Sequence, residues 1–165
     1  MKHLLSKQQA EIILEPYFLK IQEAIESGFN DHLATINFHH SNGVYVTFNK
    51  TEKANHIHAL IRARLKEAFK DCSEVKIGYI NRVFGILINN SLFIRFKKIN
   101  KDRSTSNIST KQTNNYKNQI EIPGIPAATT LLYAGYTPDA TWTCLQNIYI
   151  LCRLGDNIRW EIGLN

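Results

Sequence analysis

The chain has 165 residues, 44% of them apolar and 21% charged, which is the usage of one globular domain able to bury about two thirds of its unfolded surface without a disulfide or metal staple. That composition excludes a disordered chain, and apolar runs as short as Val83 to Ile88 and Ile148 to Cys152 exclude a membrane-spanning helix, which needs about 20 apolar residues. The formal net charge of +6 points to an anionic partner only where the charge is concentrated.

At the N-terminus, Leu4-Leu5 is too short an apolar stretch for a secretory signal, so a cytoplasmic protein without a membrane partner is expected. Cys72, Cys144 and Cys152 are odd in number, share no C-x-x-C spacing, and read as reduced structural thiols. The sequons at Asn49, Asn89 and Asn107 carry no meaning in that compartment.

Ser6 and Gln9 form a capping-box pattern, after which Ile13, Tyr17, Ile21, Ala24 and Ile25 recur at helical spacing up to Gly28, with a bend or restart near Pro16. Leu33 to Phe38 and Val44 to Phe48 alternate around Ser41-Asn42-Gly43, which predicts a hairpin. Thr51 precedes a second amphipathic helix whose apolar stripe is Ala54, Ile57, Ile61, Leu65, Ala68 and Phe69; Arg62, Arg64, Lys66 and Lys70 lie on its outer face. Val75 to Ile80, Val83 to Ile88 and Leu92 to Lys98 then read as strands, the last two joined by a two-residue turn at Asn89-Asn90. Residues 99–118 read as a long polar loop, and Ile122-Pro123-Gly124-Ile125-Pro126 as a rigid connector. Strands follow at Thr130 to Tyr136, Asn147 to Arg153 and Ile158 to Leu164. The expected fold is α+β, a single domain over residues 1–165 that is helix-rich over residues 1–72 and β-rich over residues 73–165, with two amphipathic helices packed on a mainly antiparallel sheet.

Between Ser91 and Asn118 seven basic residues face one acidic residue, Asp102, while the rest of the chain holds 13 of each sign. Arg95, Lys97, Lys98, Lys101, Arg103, Lys111 and Lys117 are therefore the candidate anion-binding residues, with Tyr116 and Phe93 as rings on which bases can stack. In the third strand Leu92, Ile94 and Phe96 alternate with Phe93, Arg95 and Lys97, which predicts an apolar face and an outward cationic face. The competing reading is a solvated basic loop, or a surface for a protein partner.

Other chemistry has weaker support. His39-His40 and His56-x-His58 have no spacing that makes a metal face, and no metal or other cofactor is expected. Glu74-Val75-Lys76 has the E-x-K spacing of metal-dependent nucleases, yet Asp71 and Asp139 are poorly placed to supply the further carboxylate. Eight scattered glycines form no phosphate loop, and no nucleophile elbow accompanies the cysteines and serines, so no catalytic residue is assigned.

From Leu92 onward a series of motifs is similar to a family of uncharacterised proteins from bacteria and their prophages. They are Arg95-Phe96-Lys97-Lys98, Thr105-Ser106-Asn107-Ile108 with Thr110 and Gln112, Pro123-Gly124-Ile125-Pro126 with Ala128-Thr129, Ala134-Gly135-Tyr136, and Arg159-Trp160-Glu161-Ile162. The resemblance covers a little under half the chain and transfers no mechanism to any residue. It implies a setting among phage and toxin–antitoxin-like genes, and an ordered motif over residues 103–112. Two functions are expected from these readings together. One is an effector of phage–host conflict, such as a toxin component, that grips nucleic acid or another anionic partner through residues 91–118. The other is a non-enzymatic interaction module, antitoxin-like or inhibitory.

Overall fold

The computed structural model describes residues 2–106 and 109–164. Helix α1 (Lys7–Leu14) starts on the expected capping box: the Gln9 amide donates to the Ser6 hydroxyl (3.2 Å), and the Ser6 amide to the Gln9 side chain (2.9 Å). Pro16 cannot continue the helical ladder, and the chain passes through one 3-10 turn at Glu15–Tyr17 into α2 (Phe18–Ser41).

The hairpin expected over residues 33–48 does not form, and Gly28 does not end the helix. Residues 33–41 are the last turns of α2, with Leu33 and Ile36 half-buried three residues apart, a helical spacing that wins over the short alternation. Asn42-Gly43 instead closes a Schellman C-cap: the Val44 amide donates to the His39 carbonyl (2.9 Å) and the Gly43 amide to that of His40 (3.0 Å), with Gly43 at φ 78°. Gly28 is where α2 and α3 (Lys50–Phe69) meet, since a Cβ there would lie 2.5 Å from Ile61 Cγ1. Helix α3 begins at Asn49, whose side chain accepts the Glu52 amide.

The six strands are β1 (Val75–Ile80), β2 (Val83–Ile88), β3 (Leu92–Lys98), β4 (Thr130–Pro138), β5 (Leu145–Leu154) and β6 (Asn157–Gly163). They form one sheet in sequence order, antiparallel throughout except for the parallel pair β3–β4. Asn89 and Asn90, at φ 51° and 53°, make the expected two-residue turn, and Asn81-Arg82 makes a second at φ 47° and 68°. The α+β fold with helices on a mostly antiparallel sheet is as the sequence implied.

What the sequence did not reveal is a third layer. Helices α1 to α3 cover one face of the sheet, burying Ile57, Ile61, Leu65 and Phe69 against Phe84, Ile94 and Phe96. The crossover from β3 to β4 covers the other face with Tyr116, Ile122 and Ile125 packed on Phe93, Leu131 and Leu151. The expected loop over 99–118 therefore contains a helix, α4 (Lys111–Lys117), with its own capping box between Thr110 and Thr113. Asn107 and Ile108, which belong to the motif expected to be ordered, lie outside the described residues. No helix among the described residues is long and apolar enough to cross a membrane.

Candidate functional site

The cations of residues 91–118 do not share one surface. Arg103 is paired with Glu161 (2.8 Å) above the Tyr149 ring, and Lys117 with Asp156. Lys111 lines a separate cavity of about 410 Å³ on the α4 side, beside Arg82, Gln112 and Glu121. Lys101 is exposed next to Asp102. Phe93 and Tyr116 are each 0% exposed, so the expected stacking rings are closed to any ligand. The Tyr116 hydroxyl instead donates to the Leu132 carbonyl (2.5 Å), and burial pushes its pKa well above the ordinary value. Nor is the Phe93–Arg95–Lys97 side of β3 an outward face: α4 covers it, and the Arg95 guanidinium lies over the Tyr116 ring at 5.8 Å.

Lys97 shares the α4 side of β3 with Arg95, whereas Lys98, on the opposite side at the free end of the strand, meets a set of cations that lies far away in sequence. Along α3 the series Lys50, Ala54, His58, Arg62, Lys66, Lys70 runs at intervals of four, one position after the buried stripe. Like charges at that spacing cost the isolated helix a few tenths of a kcal/mol per pair, so the arrangement is not one that helix stability selects. Lys53 and Lys98 reach over the Trp142 ring at 5.6 and 5.3 Å. Trp142 is held at φ 57° by a loop that Asp139 organises, accepting from Thr141 Oγ1 (2.7 Å) and the Thr143 amide (2.8 Å); these bonds hold the Asp139 carboxyl well below the usual range. Burial and Lys50 lower the Lys98 pKa, while burial and Arg95 bring that of Lys97 down to about 8.

Further along the same face, Arg62 donates to the Tyr79 hydroxyl and Lys66 lies 5.9 Å over the Phe84 ring. Tyr79, 58% exposed, is an aromatic ring open to solvent beside Arg62. Between these ends, burial, then the cations Arg62, Lys97 and Arg95, pull the His58 pKa down to about 4. Among the described residues no carboxylate pairs with Lys50, Lys53, Arg62, Lys66, Lys97 or Lys98. Two neighbouring cations at the end of α3 behave differently: Arg64 is bound to Asp31 of α2 by two 2.7 Å contacts, and Lys70, the C-cap, to Glu67.

The face thus combines Lys98, a candidate from the sequence, with Arg62 and Lys66, which the sequence placed only on the outer face of a helix, and with Lys50, Lys53 and Tyr79, which were not singled out. For Lys50, Arg62 and Lys66 the signal is the four-residue spacing of positive groups, a series outside which Lys53 stands; nothing in the sequence places them against β3.

No other chemical centre competes with this face. Glu74 takes a hydrogen bond from the Tyr17 hydroxyl (2.7 Å) at the start of the edge strand β1, and no group of three or more metal-ligating side chains gathers among the described residues. His32, 1% exposed, is hydrogen-bonded to His56 between their Nδ1 atoms (2.7 Å), an internal pair of the α2–α3 interface. Comparison with protein-family models, with curated proteins and with solved structures found no match to this chain.

Proposed function

We propose that the protein binds single-stranded nucleic acid along the face made by α3 and the end of β3. The observation that carries the reading is the convergence of five cations, Lys50, Lys53, Arg62, Lys66 and Lys98, from two distant segments with no carboxylate partner among the described residues. From Lys50 to Lys66 the face extends about 24 Å, the length of about seven stacked nucleotides. Tyr79 at one end offers a ring for base stacking, which favours a single strand over a duplex. The setting in phage–host conflict, as a toxin component, rests on the sequence resemblance; its test is expression in a bacterial host, where growth arrest would support it and harmless expression would count against it.

Five phosphate contacts to a single strand give a slope of log affinity against log salt of about −3.5, or about 130-fold weaker binding from 50 to 200 mM salt. Neutralising Lys53, Arg62, Lys66 and Lys98 to Gln removes about 2.8 from that slope. Fluorescence anisotropy with a labelled oligonucleotide reads both quantities. An unchanged slope in the fourfold variant, or no binding by the parent at 50 mM salt, refutes the proposal.

The interaction-module reading has its own observation. Phe38, Val44 and Tyr45 are 64%, 52% and 77% exposed at the tip of the α2–α3 pair, an apolar patch next to Lys50. A stoichiometric protein recovered from the native host without nucleic acid, and lost on replacing Phe38 and Tyr45, favours that reading.

A further inference from the structure

The β1–β2 turn stands at the same end of the sheet as Lys98, because the antiparallel register that puts Gly85 opposite Arg95 runs Val83 toward the end of β3. Tyr79 precedes this turn by two residues, about 7 Å of chain, so the basic face on the α3 side runs out here. On the α4 side of the turn lies the cavity of about 410 Å³, within the size range of small-ligand pockets. Asn81 and Arg82 of the turn line it together with Lys111, Gln112 and Asn115 of α4, and the Gln112 side-chain amide donates to the Asn81 carbonyl, joining the two elements. Ile122 and Pro123 add apolar surface, and Glu121 is the one carboxylate among the described lining residues. Arg82 holds φ 68° at a turn position that favours glycine, so a cation stands at the cavity against the backbone preference. Among the described residues Arg82, Lys111 and Glu121 form no ion pair. Charges of both signs therefore line one cavity unpaired, together with three side-chain amides.

We propose that this cavity binds one guanine nucleotide, its phosphate held by Arg82 and Lys111 and its base by Glu121 and the amides. The amides of Asn and Gln both donate and accept, so they serve any base edge. A carboxylate only accepts, and it fits an edge that presents two neighbouring N–H donors. Guanine alone has such a pair on its pairing edge, a ring N–H beside the amino group. Adenine, cytosine and thymine or uracil each set an acceptor beside their donor, which the carboxylate repels. Ile122 and Pro123 offer apolar surface to the face of the ring. The proposal rests on the single-strand reading only for one source of the nucleotide, a strand that leaves the basic face at Tyr79 and rounds the turn. The other source is a free guanine nucleotide.

Two measurements on the full chain test this. The first titrates guanosine monophosphate while NMR follows the Gln112 and Asn115 side-chain amides, with the adenosine, cytidine and uridine monophosphates as controls. Saturable shifts with the guanine nucleotide at least about tenfold tighter than the others are expected, and Glu121→Gln removes that preference. In the second, fluorescence anisotropy follows single-stranded DNA of seven thymidines with a guanine, adenine, cytosine or thymine nucleotide added at one end. Tighter binding of guanine at one end, lost in Glu121→Gln while the plain thymidine strand binds as before, assigns the cavity to a strand terminus. Arg82→Gln then lowers the salt slope of the guanine-ended strand by about 0.7. Guanosine monophosphate binding without a preference among the strands assigns it to a free nucleotide, and if no strand binds at all the single-strand reading is overturned instead. The cavity proposal is overturned by the absence of saturable guanosine monophosphate shifts, by equal affinity for the four nucleotides, or by a guanine preference that Glu121→Gln leaves intact, even where thymidine strands still bind along the basic face.

Discussion

Acid should weaken this fold through His32. The ring is 1% exposed, bonded to His56 and near Lys53, and burial lowers its pKa from 6.5 to about 4. As pH falls below 6.5 the unfolded chain takes up the proton first, so stability declines until the folded form also protonates near pH 4. The full span is about 2.5 pH units, or about 3.4 kcal/mol, of which about 2.4 kcal/mol is lost between pH 7 and pH 4.5. With an m-value of about 2 kcal/mol/M, this moves the urea midpoint down by about 1 M. His58 shifts the same way and adds to the slope. Replacing His32 by Gln lowers stability at pH 7 but removes its share of the acid loss, so the two proteins converge as pH falls. The quantity to read is the difference in pH slope between them, from urea unfolding followed by circular dichroism at several pH values. Parallel declines in the two proteins, or a His32 that titrates near 6.5 by NMR, refute the reasoning.

Two further changes test the packing around the site. In Gly135→Ala the new Cβ would meet the Lys97 carbonyl oxygen at 1.6 Å, forcing β3 from β4; a loss of about 3 kcal/mol or more, near 10 °C in Tm, is expected by calorimetry. Tyr116→Phe removes the bond to the Leu132 carbonyl and should cost about 1–2 kcal/mol in urea unfolding while leaving the salt slope of nucleic-acid binding unchanged.

Much of the sheet was legible because its strands are short β-branched and aromatic runs separated by turn residues, and Asn89-Asn90 fixes a register by itself. The second half of α2 was not. Asn-Gly serves a two-residue hairpin and a helix C-cap equally well, since both ask only for positive φ, and the choice depends on what residues 33–41 pack against. The covering layer over 99–129 was hidden for a related reason. Its buried groups, Tyr116, Ile122 and Ile125, are too widely spaced to show a period. The candidate site was half legible. Lys98 stood out by local charge density, but that measure also drew in Lys97, which the strand turns to the α4 side, and Arg103 and Lys117, which are paired with Glu161 and Asp156 about 40 to 60 residues away. It passed over the α3 cations, whose neighbours Glu52 and Glu67 cancel them in a count along the chain while pointing elsewhere in space.

The parallel seam between β3 and β4 gives the basic face a dependence on the whole chain. Strands β1 to β3 and β4 to β6 are two local meanders whose tight turns close cheaply, whereas Leu92 and Thr130 must be brought together across the long crossover, at an entropic cost of about 3 kcal/mol beyond a constant. Tyr116 fastens that crossover to both sides, with its hydroxyl at the Leu132 and Phe93 carbonyls. Lys97 and Lys98 sit on the seam strand, paired with Gly135 and Tyr136, and Trp142 comes from the far meander. An anion held there consequently bridges the two meanders, and its binding energy adds to the free energy that keeps them joined.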